Sequence, residues 1–364
     1  MYKSFRAREF RCFEDLDLSE LERVNLITGK NNAGKTALLE SLFIHGGAYN
    51  PELVFRVNAF RGIEPLSFEL RRGVETPWNW IFRGLDTSRK VELKAKYERS
   101  RKRTVRLGLV TEPSELAKAE KYFADPSEPL RLSLSSGAAN VFKVESIENG
   151  IQGEYYLVLD QRGLRIRPIP PSPPYQTIFL PTRRGWPSLG EDAERYGNLD
   201  TEGQQSLVVK ALQVIEKRLV RLAVVPIGYG ERTQAMLRGD LGSGRLIPLP
   251  LMGEGMVRLA SLVLAIGNAK GGVVLIDEIE NGLHHSVMES VWRVVSEAAR
   301  QFDAQVFATT HSLECIRAAH KAFSEHRPYD FRLHRLEQVG DKTRVFTYGQ
   351  ETLSTAIESE LEVR

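Results

Sequence analysis

Apolar residues along the chain occur in short runs that alternate with stretches of helical spacing. The segments Val24 to Thr28, Val273 to Ile276 and Val306 to Ala308 have the size of buried strands, and polar residues follow them. The segments behind them repeat apolar side chains every three or four positions, as in the stripe from Val287 to Ala298. This alternation predicts an α/β fold with a mostly parallel sheet that is flanked by helices.

The same patterns predict further elements around these strands. They are a strand over Thr177 to Leu180, helices over Gln204 to Leu222, Met256 to Ile266 and Ser312 to Phe323, and a hairpin of Phe331 to Leu336 with Arg344 to Tyr348. Two short strands are expected before Val24.

Residues 49–175 show a different pattern, in which apolar and polar side chains alternate. Val91 to Tyr97, Leu130 to Leu134 and Tyr155 to Leu159 are three such segments, with turn-rich stretches between them. This alternation is typical of antiparallel strands with one buried face. We therefore predict a core of residues 1–48 and 176–364, and a β-rich insertion of residues 49–175 that ends in a proline-rich spacer.

Composition narrows the class of protein. The chain has 364 residues and a formal charge of +3, and Cys12 and Cys315 are its two cysteines. No apolar run approaches the roughly 20 residues of a membrane helix, and two cysteines are too few for a disulfide framework. We expect a cytoplasmic protein without a membrane segment.

The segment Gly29-Lys30-Asn31-Asn32-Ala33-Gly34-Lys35-Thr36 fits the phosphate-loop pattern GxxxxGK[ST]. It stands between a predicted strand and a predicted helix, which is the context that this pattern requires. Glycines let successive backbone N–H groups converge on phosphate oxygens, and the helix N-terminus adds positive potential. Lys35 is expected to neutralise phosphate charge, and the Thr36 hydroxyl to bind Mg²⁺.

Two carboxylates and a histidine follow the other predicted strands. Asp277 and Glu278 come directly after Ile276, and His311 follows the strand that begins at Val306. Ligands bind at the carboxyl ends of strands in open α/β sheets. Asp277 is expected to hold Mg²⁺ through water, Glu278 to act as the general base, and His311 to hydrogen-bond the terminal phosphate. The alternatives are a pair of acidic residues that merely ends a strand and a structural histidine.

Together these segments resemble ATP-binding-cassette (ABC) ATPases, specifically the SMC/RecF-like branch that contains the OLD (overcoming lysogenisation defect) family. The resemblance rests on residues 29–36, on Leu275 to His284 and on Thr309 to Ser312. It implies that two heads close face to face around two ATP molecules, with Glu280 to Leu283 touching the opposite head.

The resemblance also implies a signature segment, which Pro250 to Arg258 would supply. Gly253, Glu254 and Gly255 would then face the partner's terminal phosphate through backbone N–H groups. The family usually has a serine before its first glycine, whereas this chain has Met252. A plain glycine turn before a core helix is the alternative interpretation.

By the same resemblance, nucleotide-driven head dimerisation controls a separate effector, such as a TOPRIM-like nuclease, in prokaryotic anti-phage defence. We expect no nuclease domain in this chain, because only 53 residues follow His311. The alternatives are a RecF-like DNA repair or loading ATPase, a transporter nucleotide-binding subunit and a non-catalytic nucleotide sensor. Adenine is favoured over guanine because the motif Asn-Lys-x-Asp is absent from the sequence.

Basic residues cluster in the insertion. Ten Lys and Arg side chains lie between Arg83 and Arg106, against three acidic ones. The excess is compatible with DNA or RNA binding, and equally with lysines that protect a strand edge. The pair Arg183 and Arg184 is a weaker candidate for phosphate contact.

Overall fold

The structure is a computed structural model, and it describes all residues except 48, 64–77, 124–139, 161–162, 183–188 and 229–233. The predicted strand at 130–134 and the pair Arg183 and Arg184 lie outside the described residues.

The described chain folds into strands and helices, which are numbered from the N-terminus. The strands are β1 (Tyr2–Phe10), β2 (Phe13–Leu18), β3 (Val24–Gly29), β4 (Val91–Tyr97), β5 (Lys102–Leu109), β6 (Asn140–Glu148), β7 (Ile151–Asp160), β8 (Gly163–Arg167), β9 (Thr177–Leu180), β10 (Arg221–Ile227), β11 (Gln234–Asp240), β12 (Leu246–Pro248), β13 (Val273–Ile276), β14 (Gln305–Thr309), β15 (Phe331–Val339) and β16 (Lys342–Tyr348). The helices are α1 (Lys35–Gly46), α2 (Leu53–Phe60), α3 (Pro113–Phe123), α4 (Leu189–Thr201), α5 (Gln205–Leu212), α6 (Glu254–Asn268), α7 (Met288–Gln301), α8 (Leu313–Ser324) and α9 (Gln350–Glu358).

The central sheet has the strand order β16-β15-β3-β14-β13-β9 among the described residues. The five strands from β15 to β9 are parallel, and β16 pairs antiparallel with β15. Alternate residues of β13 enter different cores: Val274 and Ile276 pack with one hydrophobic cluster, Val273 and Leu275 with the other. The predicted mostly parallel sheet, covered on both faces, is therefore confirmed.

A second sheet, the lobe sheet, is antiparallel and has the order β2-β1-β4-β5-β6-β7-β8 in the described chain. Its apolar side packs with α1 and one face of the central sheet in a single cluster. The antiparallel, β-rich character of the insertion is confirmed, and the sheet also takes in β1 and β2 from the chain's first residues. The division into core and insertion stays a prediction.

One predicted helix is wrong in extent. The spacing from Gln204 to Leu222 suggested a single long helix, but α5 ends at Leu212 and β10 begins at Arg221. Leu219 is buried as expected, but it lies in the turn between α5 and β10 and not in a helix. Its agreement with the helical spacing is therefore a coincidence. Strands β10 to β12 form a small antiparallel sheet that the sequence patterns did not predict.

The basic cluster of the insertion has acidic partners on other strands. Arg89 lies 2.7 Å from a carboxylate oxygen of Glu9, and Arg103, almost fully buried, lies 2.8 Å from one of Glu148. These acids are distant in sequence, so counting charges between Arg83 and Arg106 overlooks them. The excess of positive charge is partly offset, and nucleic-acid binding stays a prediction.

No helix within the described ranges combines the length and the apolar character that crossing a bilayer requires.

Candidate active site

The segment after β3 forms a tight loop whose glycines have no room for side chains. Gly29 has a φ of 141°, and a Cβ there would lie 2.3 Å from the carbonyl oxygen of Leu336. Gly34 has a φ of 97°, and its Cβ would lie 2.5 Å from the ring of Phe13. Both angles lie in the region that favours glycine. Asn31 and Asn32 are exposed at the loop tip, whereas Ala33 is buried.

Lys35, the first residue of α1, is buried and turns back toward the loop. Its Nζ donates to the carbonyl oxygens of Gly29 at 2.7 Å and of Lys30 at 3.1 Å. Burial lowers the pKa of Lys35, while Asp277 and Glu278 oppose that shift. The ammonium is thus held at the loop by two weak acceptors, which phosphate oxygens can replace.

Asp277 connects the loop to the two strands beside it. The hydroxyl of Thr36 donates to Asp277 Oδ1 and Oδ2 at 3.2 and 3.1 Å, and the hydroxyl of Thr309 donates to Oδ1 at 2.7 Å. Asp277 follows β13 and Thr309 ends β14, which lies between β13 and β3. A carboxylate beside a threonine hydroxyl offers hard oxygen donors, so the residues present fit Mg²⁺.

Glu278 and His311 face each other at the same edge of the sheet. The Nε2 atom of His311 lies 3.6 Å from Oε1 of Glu278, and both side chains are partly exposed. Burial, and after it the charge of Asp277, raises the pKa of Glu278. Its φ of 48° is unusual for a residue with a side chain. Unusual backbone of this kind is concentrated at functional sites.

The loop after Glu278 is tied to the end of β14. Glu280 Oε1 accepts hydrogen bonds from the Thr310 hydroxyl and from the His311 N–H, both at 2.8 Å. In the described chain Glu280 Oε2 is buried without a hydrogen-bond partner. Asn281 Nδ2 donates to the Thr182 carbonyl oxygen at 3.2 Å. The position of His311 therefore depends on Glu280.

The signature candidate lies at the N-terminus of α6. Gly253 and Glu254 are exposed, and a Cβ on Gly282 would lie 3.0 Å from Glu254, so this segment adjoins the loop after Glu278. Met252, which stands where the family has serine, packs beside Gly239 and the hydrophobic core. Gly255 lies against the Gly282 carbonyl oxygen.

Sequence reasoning missed two arginines beside the loop. A cavity of about 740 Å³ opens at residues 29–36 and is lined by Lys35, Thr36, His311, Arg11 and Arg61 among others. Glu40 on α1 is fully buried and holds both arginines: Arg61 Nε lies 2.6 Å from Oε1, and Arg11 Nε lies 2.9 Å from Oε2. Neither arginine belongs to a contiguous motif, so only their place in the fold identifies them.

The structure therefore brings together the loop 29–36, Asp277, Glu278 and His311. The signature residues Gly253, Glu254 and Gly255 lie apart from this cavity, against the loop that follows Glu278.

Several known proteins are similar to this chain in sequence or in fold. A family model described as AAA domain, putative AbiEii toxin, Type IV TA system, matches residues 24–317. A protein of Helicobacter pylori named ATP/GTP phosphatase is 22% identical over 396 residues, covering 99% of each chain. An uncharacterized protein of Methanocaldococcus jannaschii is 37% identical over 65 residues, which cover 18% of this chain and 57% of that protein.

Among solved structures, a crystal structure of an SMC head bound to the C-winged helix domain of ScpA covers 98% of this chain and 99% of its own. Its TM-score is 0.50 at 10% identity, which shows a shared fold. The chain therefore belongs to the AAA-domain family described as putative AbiEii toxin, Type IV TA system, and it is a P-loop ATPase with the fold of SMC heads.

Proposed function

We propose that the protein binds ATP with Mg²⁺ in the cavity beside residues 29–36 and hydrolyses it there. The observation that carries this proposal is the convergence of Thr36, Asp277 and Thr309 through hydrogen bonds of 2.7–3.2 Å, with Lys35 and Glu278 next to them. Thr36 and Asp277 would hold Mg²⁺, which supplies charge neutralisation at the phosphates when it is bound.

Each residue has a role that follows from its position. Lys35 exchanges its two carbonyl acceptors for phosphate oxygens, and backbone N–H groups of the loop 29–36 bind the same phosphates. Glu278, whose pKa is raised, accepts a proton from water as the water oxygen bonds to the terminal phosphorus. The bond between that phosphorus and the bridging oxygen breaks, leaving ADP and inorganic phosphate. His311, whose Nε2 lies 3.6 Å from Glu278 Oε1, hydrogen-bonds the terminal phosphate.

The proposal extends to a dimer of heads. Gly253, Glu254, Asn281 and His284 are exposed, and Glu254 adjoins Gly282 in the loop that follows the catalytic carboxylate. Leu251, two positions before Gly253, is 77% exposed. In a dimer whose interface includes these exposed residues, the N-terminus of α6 in one copy would face the nucleotide that is bound to the other copy. The missing serine hydroxyl at Met252 leaves backbone N–H groups as the donors.

We further propose that closure of the heads controls a separate effector subunit in an OLD-like anti-phage system. Two findings support this extension: the matching family is described as a putative toxin of a type IV toxin–antitoxin system, and the SMC head of similar fold was solved with a bound partner domain. A nuclease of the TOPRIM type is the effector we expect. A RecF-like DNA repair or loading role is the alternative.

A pair of variants tests the chemical part. Glu278→Gln should bind ATP normally but lower kcat by about 10²–10⁴-fold, because it removes the general base. It should also accumulate ATP-dependent dimers in light scattering coupled to gel filtration. Lys35→Ala should lose nucleotide binding itself. Glu297→Gln, an exposed position on α7, is the matched control and should behave as the wild type. Monomeric Glu278→Gln with normal turnover would contradict the proposal.

The partner is tested separately. The tagged Glu278→Gln variant should be purified from its native host. Proteins that copurify with it are identified by mass spectrometry. Recovery of a nuclease supports the effector role. Stimulation of ATP hydrolysis by DNA ends or gaps, without a stable protein partner, favours the RecF-like alternative. Purified chain that cuts DNA with Mg²⁺ alone would overturn the assignment of cleavage to another subunit.

A further inference from the structure

Arg258 is a buried cation directly behind the strand end that carries the two carboxylates. It lies near the start of α6 and is 8% exposed. Its Nη2 donates to the backbone carbonyl oxygens of Asp277 and Glu278, each at 2.9 Å. Its Nε has no hydrogen-bond partner in the described part of the chain. Keeping a guanidinium in this place costs solvation, so packing alone does not explain it.

The backbone that Arg258 contacts is in an unfavourable conformation. Glu278 has a φ of 48°, where L side chains are seldom found. Its N–H donates to the Thr309 hydroxyl at 2.8 Å, and its carbonyl oxygen also accepts the Asn281 N–H at 3.0 Å. Residue 278 is therefore held at both its N–H and its carbonyl group, and Arg258 supplies a side-chain donor on the carbonyl side.

Backbone conformation decides where the Glu278 carboxylate points. A rotation of φ from the left-handed to the right-handed region swings Cβ and everything beyond it. In the observed conformation Oε1 lies 3.6 Å from His311, at the phosphate edge of the sheet. Displacing a catalytic group by about 1 Å can cost about 10²-fold in rate.

We infer that Arg258 is a positioning residue, which fixes Glu278 in its left-handed conformation and so holds the carboxylate beside His311, a residue that lines the nucleotide cavity. The inference rests on the proposed function, in which Glu278 accepts the proton of the attacking water. The hydrogen bonds of Arg258 to this segment are made with backbone carbonyl oxygens. Its effect passes through the two carbonyl groups.

The position of Arg258 also connects the catalytic carboxylate to the surface. Gly253 and Glu254 at the beginning of α6 are exposed, while Arg258 lies on the same helix one turn further into the molecule. Movement of this helix on contact with a second copy would reach Glu278 through the guanidinium. The helix therefore provides a direct mechanical route from the proposed dimer surface to the base.

Steady-state kinetics of the full chain test the inference. Arg258→Met removes both hydrogen bonds and should lower kcat about 10²-fold, with KM and nucleotide affinity changed less than about threefold. Arg258→Lys keeps a charged donor on a shorter side chain and should recover part of the loss. Arg195→Lys is the control for the conservative change: Arg195 is a partly buried arginine on α4, where it bonds to Glu191 and Asp192.

A double variant separates positioning from a structural role. In the Glu278→Gln background, Arg258→Met should reduce the residual rate less than about twofold, because the base it positions is already gone. Full multiplication of the two losses would overturn the inference. So would an Arg258→Met enzyme with wild-type kcat, or one whose loss lies entirely in nucleotide affinity. If Arg258→Met fails to fold, kcat is measured for Arg258→Lys alone and together with Glu278→Gln, and the same criteria apply.

These outcomes differ from failure of the proposed function. If Glu278→Gln turns over ATP normally, Glu278 is not the general base, and the positioning role of Arg258 falls with that assignment. If Glu278→Gln stalls but Arg258→Met has normal kcat, only the positioning role of Arg258 is refuted.

Discussion

The hydroxyl of Thr309 bonds to Asp277 and Glu278 at once: it donates to Asp277 Oδ1 at 2.7 Å and accepts the Glu278 N–H at 2.8 Å. Thr309 is fully buried at the end of β14, next to the end of β13. The side-chain bonds of Thr309 accompany a backbone bond just past the end of β13, in which the Ile279 N–H donates to the Thr309 carbonyl oxygen at 3.0 Å. The metal-binding candidate and the candidate base thus share the Thr309 hydroxyl as a hydrogen-bond partner.

Thr309→Val tests the role of this hydroxyl with almost no change in shape. The substitution leaves Asp277 and the Glu278 N–H without this partner, and unmade buried hydrogen bonds cost about 1–3 kcal/mol of unfolding free energy. We expect kcat to fall about 10²-fold because both groups shift. Thr309→Ser keeps the hydroxyl and is the control. Denaturant unfolding and ATP turnover measure the two effects, and a valine variant as active as the serine variant would refute the role.

The fold could be predicted where short sequence patterns decide it. The limits of β9 and β13 agree with the predicted segments. All four residues of β13 are buried, and strands buried on both faces need continuous hydrophobic residues. The α5 prediction failed because an apolar turn residue, Leu219, continued the helical period by chance. In the central sheet β3 lies between β14 and β15. Its pairing with β15 could not be predicted, because the paired residues are about 300 positions apart in the sequence.

The candidate site divides in the same way. Lys35, Asp277 and Glu278 belong to contiguous patterns that carry their own chemistry. Arg61 contacts Glu40, and Arg258 contacts backbone carbonyl groups. Such contacts leave no local pattern in the sequence. Charge counts fail for the same reason, because a basic stretch can be neutralised by acids from distant strands.

The pH dependence of turnover provides a second test. Burial and the charge of Asp277 raise the pKa of Glu278, and a general base works only when it is deprotonated. We therefore expect kcat to fall on the acid side with a midpoint above the ordinary glutamate value. The measurement is kcat at saturating ATP across pH 5–8.5. The residual activity of Glu278→Gln should lack this acid limb, and a limb that persists unchanged there would assign it to another group.

Asp192 makes stability depend on pH. It is buried on α4 beside Ser261 of α6, and this burial raises its pKa to about 6. Because the folded state then binds the proton more tightly than the unfolded state, the stabilisation is complete below pH about 4 and is lost as pH rises through 6. Asp192→Asn should thus stabilise the protein more at pH 7.5 than at pH 5, by about 1.4 kcal/mol. Urea unfolding at both values measures this, and an equal effect at both would rule the shift out.

Gly34 should tolerate no side chain, for two independent reasons. Its φ of 97° is strained for alanine, which costs about 1–2 kcal/mol. The added Cβ would also lie 2.5 Å from the buried ring of Phe13 and 2.8 Å from the sulfur of Cys12, and overpacking of this kind costs about 1–3 kcal/mol. Gly34→Ala should lower the unfolding free energy by about 2–5 kcal/mol and abolish nucleotide binding, since the loop must move. Gly197→Ala on α4, where a Cβ meets nothing within 4 Å, is the control and should be neutral or slightly stabilising. Nucleotide affinity retained by Gly34→Ala would mean that the loop can bind phosphates in another conformation.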